Sequence, residues 1–325
     1  MSARIVLLLF AVLLGACRRD TPTVHQTPSG QLVLGEAEVL DPLDRTVTPG
    51  GRALVFEGFN GTLDLTGSDA PEATLRFMRR ARGSDDAEAT ETLEGVTVTE
   101  SGDAAAYRFT MRAADPSLTA VDVRGSVPRG TTLRIRLATG TVAVRAVEGP
   151  IYVQIENGTV EVNGAAAPVD IRARNGTLDV GVTTLGDAAP VFVDTQNGSI
   201  TLALPAAASA AVEATTLVGT VADEGLPFAS RRLSPAGAGT KFTGQLGAGA
   251  SRVVVQTRNG AITLRPAPPP VPASLVPRPV PPVRPDSALR PAPQVGDTIR
   301  TPDPIVPPDT TTGGPEPRRL RPGLR

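Results

Sequence analysis

The sequence predicts an all-β protein, a single-stranded parallel β-solenoid of about 20-residue coils, on three observations. A short motif built on glycine recurs through the chain. Apolar residues stand at constant offsets on both sides of that glycine. Aromatic residues make up only 3% of the chain, so a core must come from stacked Val, Ile and Leu.

The motif reads FNGTLDL, ATGTVAV, IENGTVEV, ARNGTLDV, TQNGSITL, TLVGTVAD and TRNGAITL, with key glycines Gly61, Gly140, Gly158, Gly176, Gly198, Gly219 and Gly260. From Gly140 to Gly219 the spacings are 18, 18, 22 and 21, and Gly219 to Gly260 is 41, about two such periods. Seven, five and three residues before the glycine come apolar side chains such as Ile151, Val153 and Ile155. Two and four after it come pairs such as Val160 and Val162. This period of two marks strands with one buried face. A repeat that short cannot bury its face alone, so neighbours must stack at ~4.8 Å and align equal offsets in columns. Asn-Gly between alternating runs also fits a series of antiparallel hairpins. Coil-length spacing and constant register favour the stack.

The repeats span 49–265, with an irregular stretch at 68–120. Residues 76–95 read as an insertion or exposed loop there. SVPRGTTLRIRLATGTVAV, the NG repeats, ALPAAASAAVEATTLVGTVAD and GQLGAGASRVVVQTRNGAITL together resemble the bacterial β-strand-repeat family named "putative adhesin". The resemblance covers 121–265 well and 51–120 more loosely. It implies a repetitive β fold and brings no catalytic residues with it.

Residues 1–16 read as an export signal: Arg4, then an apolar run from Ile5 to Leu14 too short to span a bilayer. Leu14-Gly15-Ala16-Cys17 resembles the lipobox of bacterial lipoproteins. That resemblance implies cleavage before Cys17, lipid on its sulfur and anchoring to a membrane. Arg18 follows where an aspartate often holds lipoproteins in the inner membrane, so the expected address in a diderm is the outer membrane. Residues 17–48, with Thr, Pro and Asp, read as a flexible tether. From Pro266 the pattern stops, and 19 of the last 60 residues are proline. That density suits a disordered or polyproline II tail over 266–325.

Net charge is −1, so no basic excess points to nucleic acid. One cysteine and one histidine leave no intramolecular disulfide and too few soft ligands for a structural zinc or iron–sulfur centre. No hydrolase, phosphate-loop or dinucleotide motif is present, and no cofactor is implied. Asp85, Asp86 and Glu88 lack the glycine-punctuated loop of a calcium site.

One outward face is a candidate binding surface. Six and four residues before the glycines, stacking presents Arg134 and Arg136, Tyr152 and Gln154, Asp170 and Arg172, Phe192 and Asp194. Aromatics among charges can hold sugar or protein. They also serve as filler, with Arg and Asp pairing between coils. The expected function is therefore a non-catalytic, lipid-anchored surface for an envelope protein or polysaccharide. The alternatives are an envelope polysaccharide enzyme of β-helix type and a spacer whose Pro-rich tail binds the partner.

Overall fold

The computed structural model describes residues 24–26, 32–34, 37–166, 168–185 and 189–267, with backbone only for the first two segments. The signal, Cys17 and the tail beyond residue 267 lie outside them.

The strands run as β1 (Val24–Gln26), β2 (Leu32–Leu34), β3 (Ala37–Val47), β4 (Ala53–Ser68) and β5 (Ala73–Gly83), then helix α1 (Asp86–Glu94). Next come β6 (Val96–Gly102), β7 (Ala106–Ala113), β8 (Thr119–Pro128), β9 (Leu133–Arg145), β10 (Ile151–Ala165) and β11 (Val169–Val182). The chain continues through β12 (Val191–Asn197), β13 (Ile200–Leu204), β14 (Ala210–Val218) and β15 (Val221–Asp223). It ends in β16 (Ser230–Ala236), β17 (Gly239–Leu246), β18 (Ser251–Asn259) and β19 (Ile262–Pro266).

The fold is nearly all β, in a large mixed arrangement. Strands β4, β9, β10 and β11 run through their glycines and belong to two ladders at once. Before the glycines the first ladder runs β7–β4–β9–β10–β11–β12–β18–β14, all parallel. After them the second runs β8–β4–β9–β10–β11–β13–β19–β15, also parallel. Equal offsets pair as the repeat predicts: Gly158 stands beside Gly140 on one side and Gly176 on the other. Asn157-Gly158 and Asn175-Gly176 are thus bends within a strand, Asn197-Gly198 and Asn259-Gly260 join strands that both pair in parallel, and the hairpin reading of these Asn-Gly pairs fails.

The purely parallel expectation needs correcting, because antiparallel pairs occur at both ends. β5 pairs with β8 and β3, and β6 with β7. β17 pairs with β14 and β16. An unpaired parallel ladder would offer its edge to any other strand, and these hairpins occupy most of that edge.

Three further points differ from the expectation. The 41-residue step after Gly219 holds no additional coil. It holds the β16–β17 hairpin, after which β18 enters between β12 and β14. Gly198 is therefore followed in the stack by Gly260, with Gly219 beyond it. The stretch 68–120 lacks the repeat but is built of strands and a helix. It supplies β5 to β8 and α1, whose N-cap Asp85 accepts the Glu88 N–H at 2.8 Å. Phe56, Phe77 and Phe109 meet there at centroid distances of 5.1–5.3 Å, a local aromatic core closing that end. The tether expected over 17–48 also ends early, since β3 begins at Ala37 and sets Val39 and Leu43 against the core. Pro42 and alternating exposed residues suit β3 to an edge.

The core is the column set named above. Ile155, Ile171 and Val193 are buried, as are Val160, Leu178 and Ile200 across the bend. Each such side chain contributes roughly 1.5–3 kcal/mol of apolar burial. Thr195, Thr216 and Thr257 take core positions too. Thr257 donates to the Gly198 carbonyl at 3.2 Å and Thr216 to that of Gly260 at 2.9 Å, so neither hydroxyl is buried unpaired.

Candidate functional site

Parallel pairing turns the outward offsets of the first ladder into two columns. One runs Arg108, Val55, Arg134, Tyr152, Asp170, Phe192. The other runs Thr110, Glu57, Arg136, Gln154, Arg172, Asp194. All eight residues expected on this face are in these columns. Six of them line an open groove of about 560 Å³, and Phe192 and Asp194 continue the same columns past it.

The wall of the groove comes from the β6–β7 turn. Asp103 accepts the backbone N–H groups of Ala105 at 2.7 Å and Ala106 at 2.8 Å, which fixes the turn. Those bonds hold its carboxyl below the ordinary range. Arg108 enters from β7 and pairs with Glu57 at 3.7 Å. Sequence register did not reach Arg108 or Asp103, because 68–120 carries no repeat motif. Glu57 could have been found, since it stands four residues before Gly61.

Most charges on this face already have partners. Arg172 forms a two-pronged pair with Asp170, at 3.0 Å for each contact, and its guanidinium lies 5.1 Å from the Phe192 ring centroid. The Arg172 guanidinium is raised above its ordinary pKa by the Asp170 hydrogen bond. Burial pushes the Asp194 carboxyl up, against the pull of Arg172 and Arg258. Arg134 stacks on Tyr152 at 4.8 Å. Neither Arg134 nor Arg136 has a carboxylate within ion-pairing distance among the described residues. Both are exposed.

A second depression of about 510 Å³ lies near the far end of the same ladder, between β14, β16, β17 and β18. Arg231, Arg232 and Arg252 line it with Glu213, which pairs with Lys241 at 2.6 Å. Among the described residues, no group of three or more His, Cys, Asp or Glu side chains is arranged to hold a metal ion.

No family model and no curated protein matches the chain. Solved structures give distant likenesses. One is a "putative cell adhesion protein" from Clostridium sporogenes, at 14% identity and TM-score 0.43, covering 70% of this chain and 99% of that one. Another is a "putative adhesin" from Bacteroides fragilis, at 9% identity and TM-score 0.25, covering 69% and 97%. A third, a "putative lipid binding protein" from Parabacteroides distasonis, stands at 5% identity and TM-score 0.20, covering 69% and 96%.

Proposed function

We propose that this chain is an exported lipoprotein, held to a bacterial membrane by lipid on Cys17, whose repeats form a β-solenoid that binds an envelope component without catalysis. In a diderm the membrane is the outer one. The binding face is the outward side of the first ladder. The observation that carries this reading is the groove over Arg134, Arg136, Tyr152 and Gln154, where polar and aromatic side chains converge on a fixed scaffold. Sites on rigid strands hold their side chains in place, so little order is lost on binding.

An enzyme acting on envelope polysaccharide is the competing reading, because Glu57, Asp103 and Asp170 also line the groove. Each is already committed: to Arg108, to two backbone N–H groups and to Arg172. A carboxylate so engaged is a poor proton donor. This supports binding over catalysis.

Site-specific photo-cross-linking in cells tests the face. A photoreactive phenylalanine replacing Tyr152 is expected to capture a partner that the same group replacing Thr177, on the second ladder, does not. Equal capture at both positions would remove the assignment. Truncation after Arg265 separates this reading from the spacer reading: the spacer loses its partner, the binding face keeps it. Metabolic labelling with a fatty-acid analogue tests the anchor, and equal label on Cys17→Ser would sink it.

A further inference from the structure

We infer that the first-ladder groove takes an acidic polysaccharide of the uronate type, clamped through its carboxylates by Arg134 and Arg136. The inference rests on the binding-face reading above and names the ligand class for that face.

The charge pairing points to an anion. Arg108 is offset by Glu57 and Arg172 by Asp170, and Asp103 stays ionised on its backbone donors, so four guanidinium groups against three carboxylates leave the groove lining one positive charge in excess. Among the described residues, two guanidinium groups of the groove have no ion pair, Arg134 and Arg136, side by side on β9. They are two residues apart on one strand face, ~7 Å. Each offers a planar fork that matches a carboxylate. Arg136 stands between Gln154 and Glu57, the Gln154 amide has no hydrogen-bond partner among the described residues, and Tyr152 flanks Arg134 with its ring. Carboxylate, hydroxyl and ring face together describe an acidic sugar.

The scaffold argues for a polymer of sugars over a peptide. An extended peptide is normally captured by adding a strand to a free sheet edge. Here the groove floor is the middle of a sheet, and its backbone groups are spent on the repeats to either side. Only side chains are on offer. Outward positions recur at each ladder step of ~4.8 Å, while their occupants change from Arg134 to Tyr152 to Asp170, so an extended ligand laid along them meets a new side chain at every step. The same face continues from β7 through β12 to β16, where Arg232 and Arg252, without an ion-pair partner among the described residues, line the second depression. A chain of sugars laid along the ladder would meet basic side chains at both ends.

The test is titration of the full chain with polygalacturonate at ~0.15 M salt, where loose ionic attraction is screened. Dextran, poly-L-glutamate and single-stranded DNA serve as comparison ligands. Polygalacturonate is expected to bind, dextran not, and the other two more weakly. Arg134→Gln with Arg136→Gln is expected to weaken polygalacturonate binding by at least about tenfold, ~1.4 kcal/mol. Arg124→Gln with Arg145→Gln removes the same charge from the second ladder and is expected to leave binding within about twofold. Unfolding midpoints confirm that both variants are folded. No binding of polygalacturonate, equal loss in the two double variants, or preference for poly-L-glutamate or DNA would overturn the inference. Capture at position 152 would in those cases still stand, so failure of the ligand class and failure of the binding face are separable.

Discussion

Asn175 donates from its side-chain amide to the side-chain oxygen of Asn157, one repeat away, at 2.8 Å. Asn197 does the same to Asn175 at 2.8 Å, and Asn259 to Asn197 at 2.7 Å. An amide carries both donor and acceptor, so identical asparagines in register can satisfy one another along a stack. The Asn of Asn157-Gly158, Asn175-Gly176, Asn197-Gly198 and Asn259-Gly260 therefore binds repeat to repeat, and the Gly lets the backbone bend. The ladder includes Asn259 beside Asn197, which fixes the position of the last repeat in the stack.

Asn175→Ala removes one donor and one acceptor from the middle of this ladder. A cost of about 1–2 kcal/mol is expected, since each hydrogen bond contributes ~0.5–1.5 kcal/mol. Urea unfolding of the full chain measures it. An unchanged midpoint would mean that water replaces the ladder without loss.

Gly158 has φ 145° and lies against the previous repeat, so a Cβ there would stand 1.8 Å from the Gly140 carbonyl oxygen. Gly158→Ala must push two repeats apart and is expected to cost several kcal/mol, on the scale of ~4. At Gly130 an added Cβ meets nothing within 4 Å, and Gly130→Ala should stay within ~0.5 kcal/mol. Equal thermal midpoints for the two would contradict the close approach of the repeats.

Register was legible in the sequence because side-chain period and glycine position are local facts. The offsets that placed Ile155, Ile171 and Val193 inside also placed Arg134, Tyr152 and Arg172 on one outer face. Two things were not legible. Strand order depends on which free edge a returning strand meets, and nothing local to Val253–Val255 says that it enters between β12 and β14. Likewise, Phe56, Phe77 and Phe109 are far apart in the chain, and no period links them. For the same reason Arg108 and Asp103 were absent from the expected site.

Ile171 is fully buried and Thr177 is exposed. Ile171→Asp would bury an unpaired charge and should destabilise by several kcal/mol. Thr177→Asp should stay within ~0.5 kcal/mol. Denaturation followed by far-UV circular dichroism compares them. Similar midpoints would invert the inward and outward assignment.

The Asp194 carboxyl is raised by burial, so the folded chain holds its proton more tightly than the unfolded chain does. Its penalty is absent below the unfolded value of about 3.9 and sets in as pH rises through the window above it. Asp194→Asn should therefore stabilise the fold at neutral pH, with the gain fading on acidification. A gain that grew toward low pH would mean that Arg172 and Arg258, not burial, dominate at this carboxyl.

Strand order gives the sharpest test of the stack. Thr201 on β13 is in register with Thr263 on β19, and Thr263 with Ala222 on β15. Sequence order alone would place Thr201 beside Ala222, because the Gly219 repeat follows the Gly198 repeat directly. In the structure those two positions are two ladder steps apart, ~9.6 Å. A disulfide forms only when the Cα atoms lie within about 7 Å. The pair Thr201→Cys with Thr263→Cys should therefore cross-link on mild oxidation, and Thr201→Cys with Ala222→Cys should not. Mobility on a non-reducing gel reads the result. Cross-linking confined to the second pair would restore sequential stacking and remove the inserted position of β18 and β19.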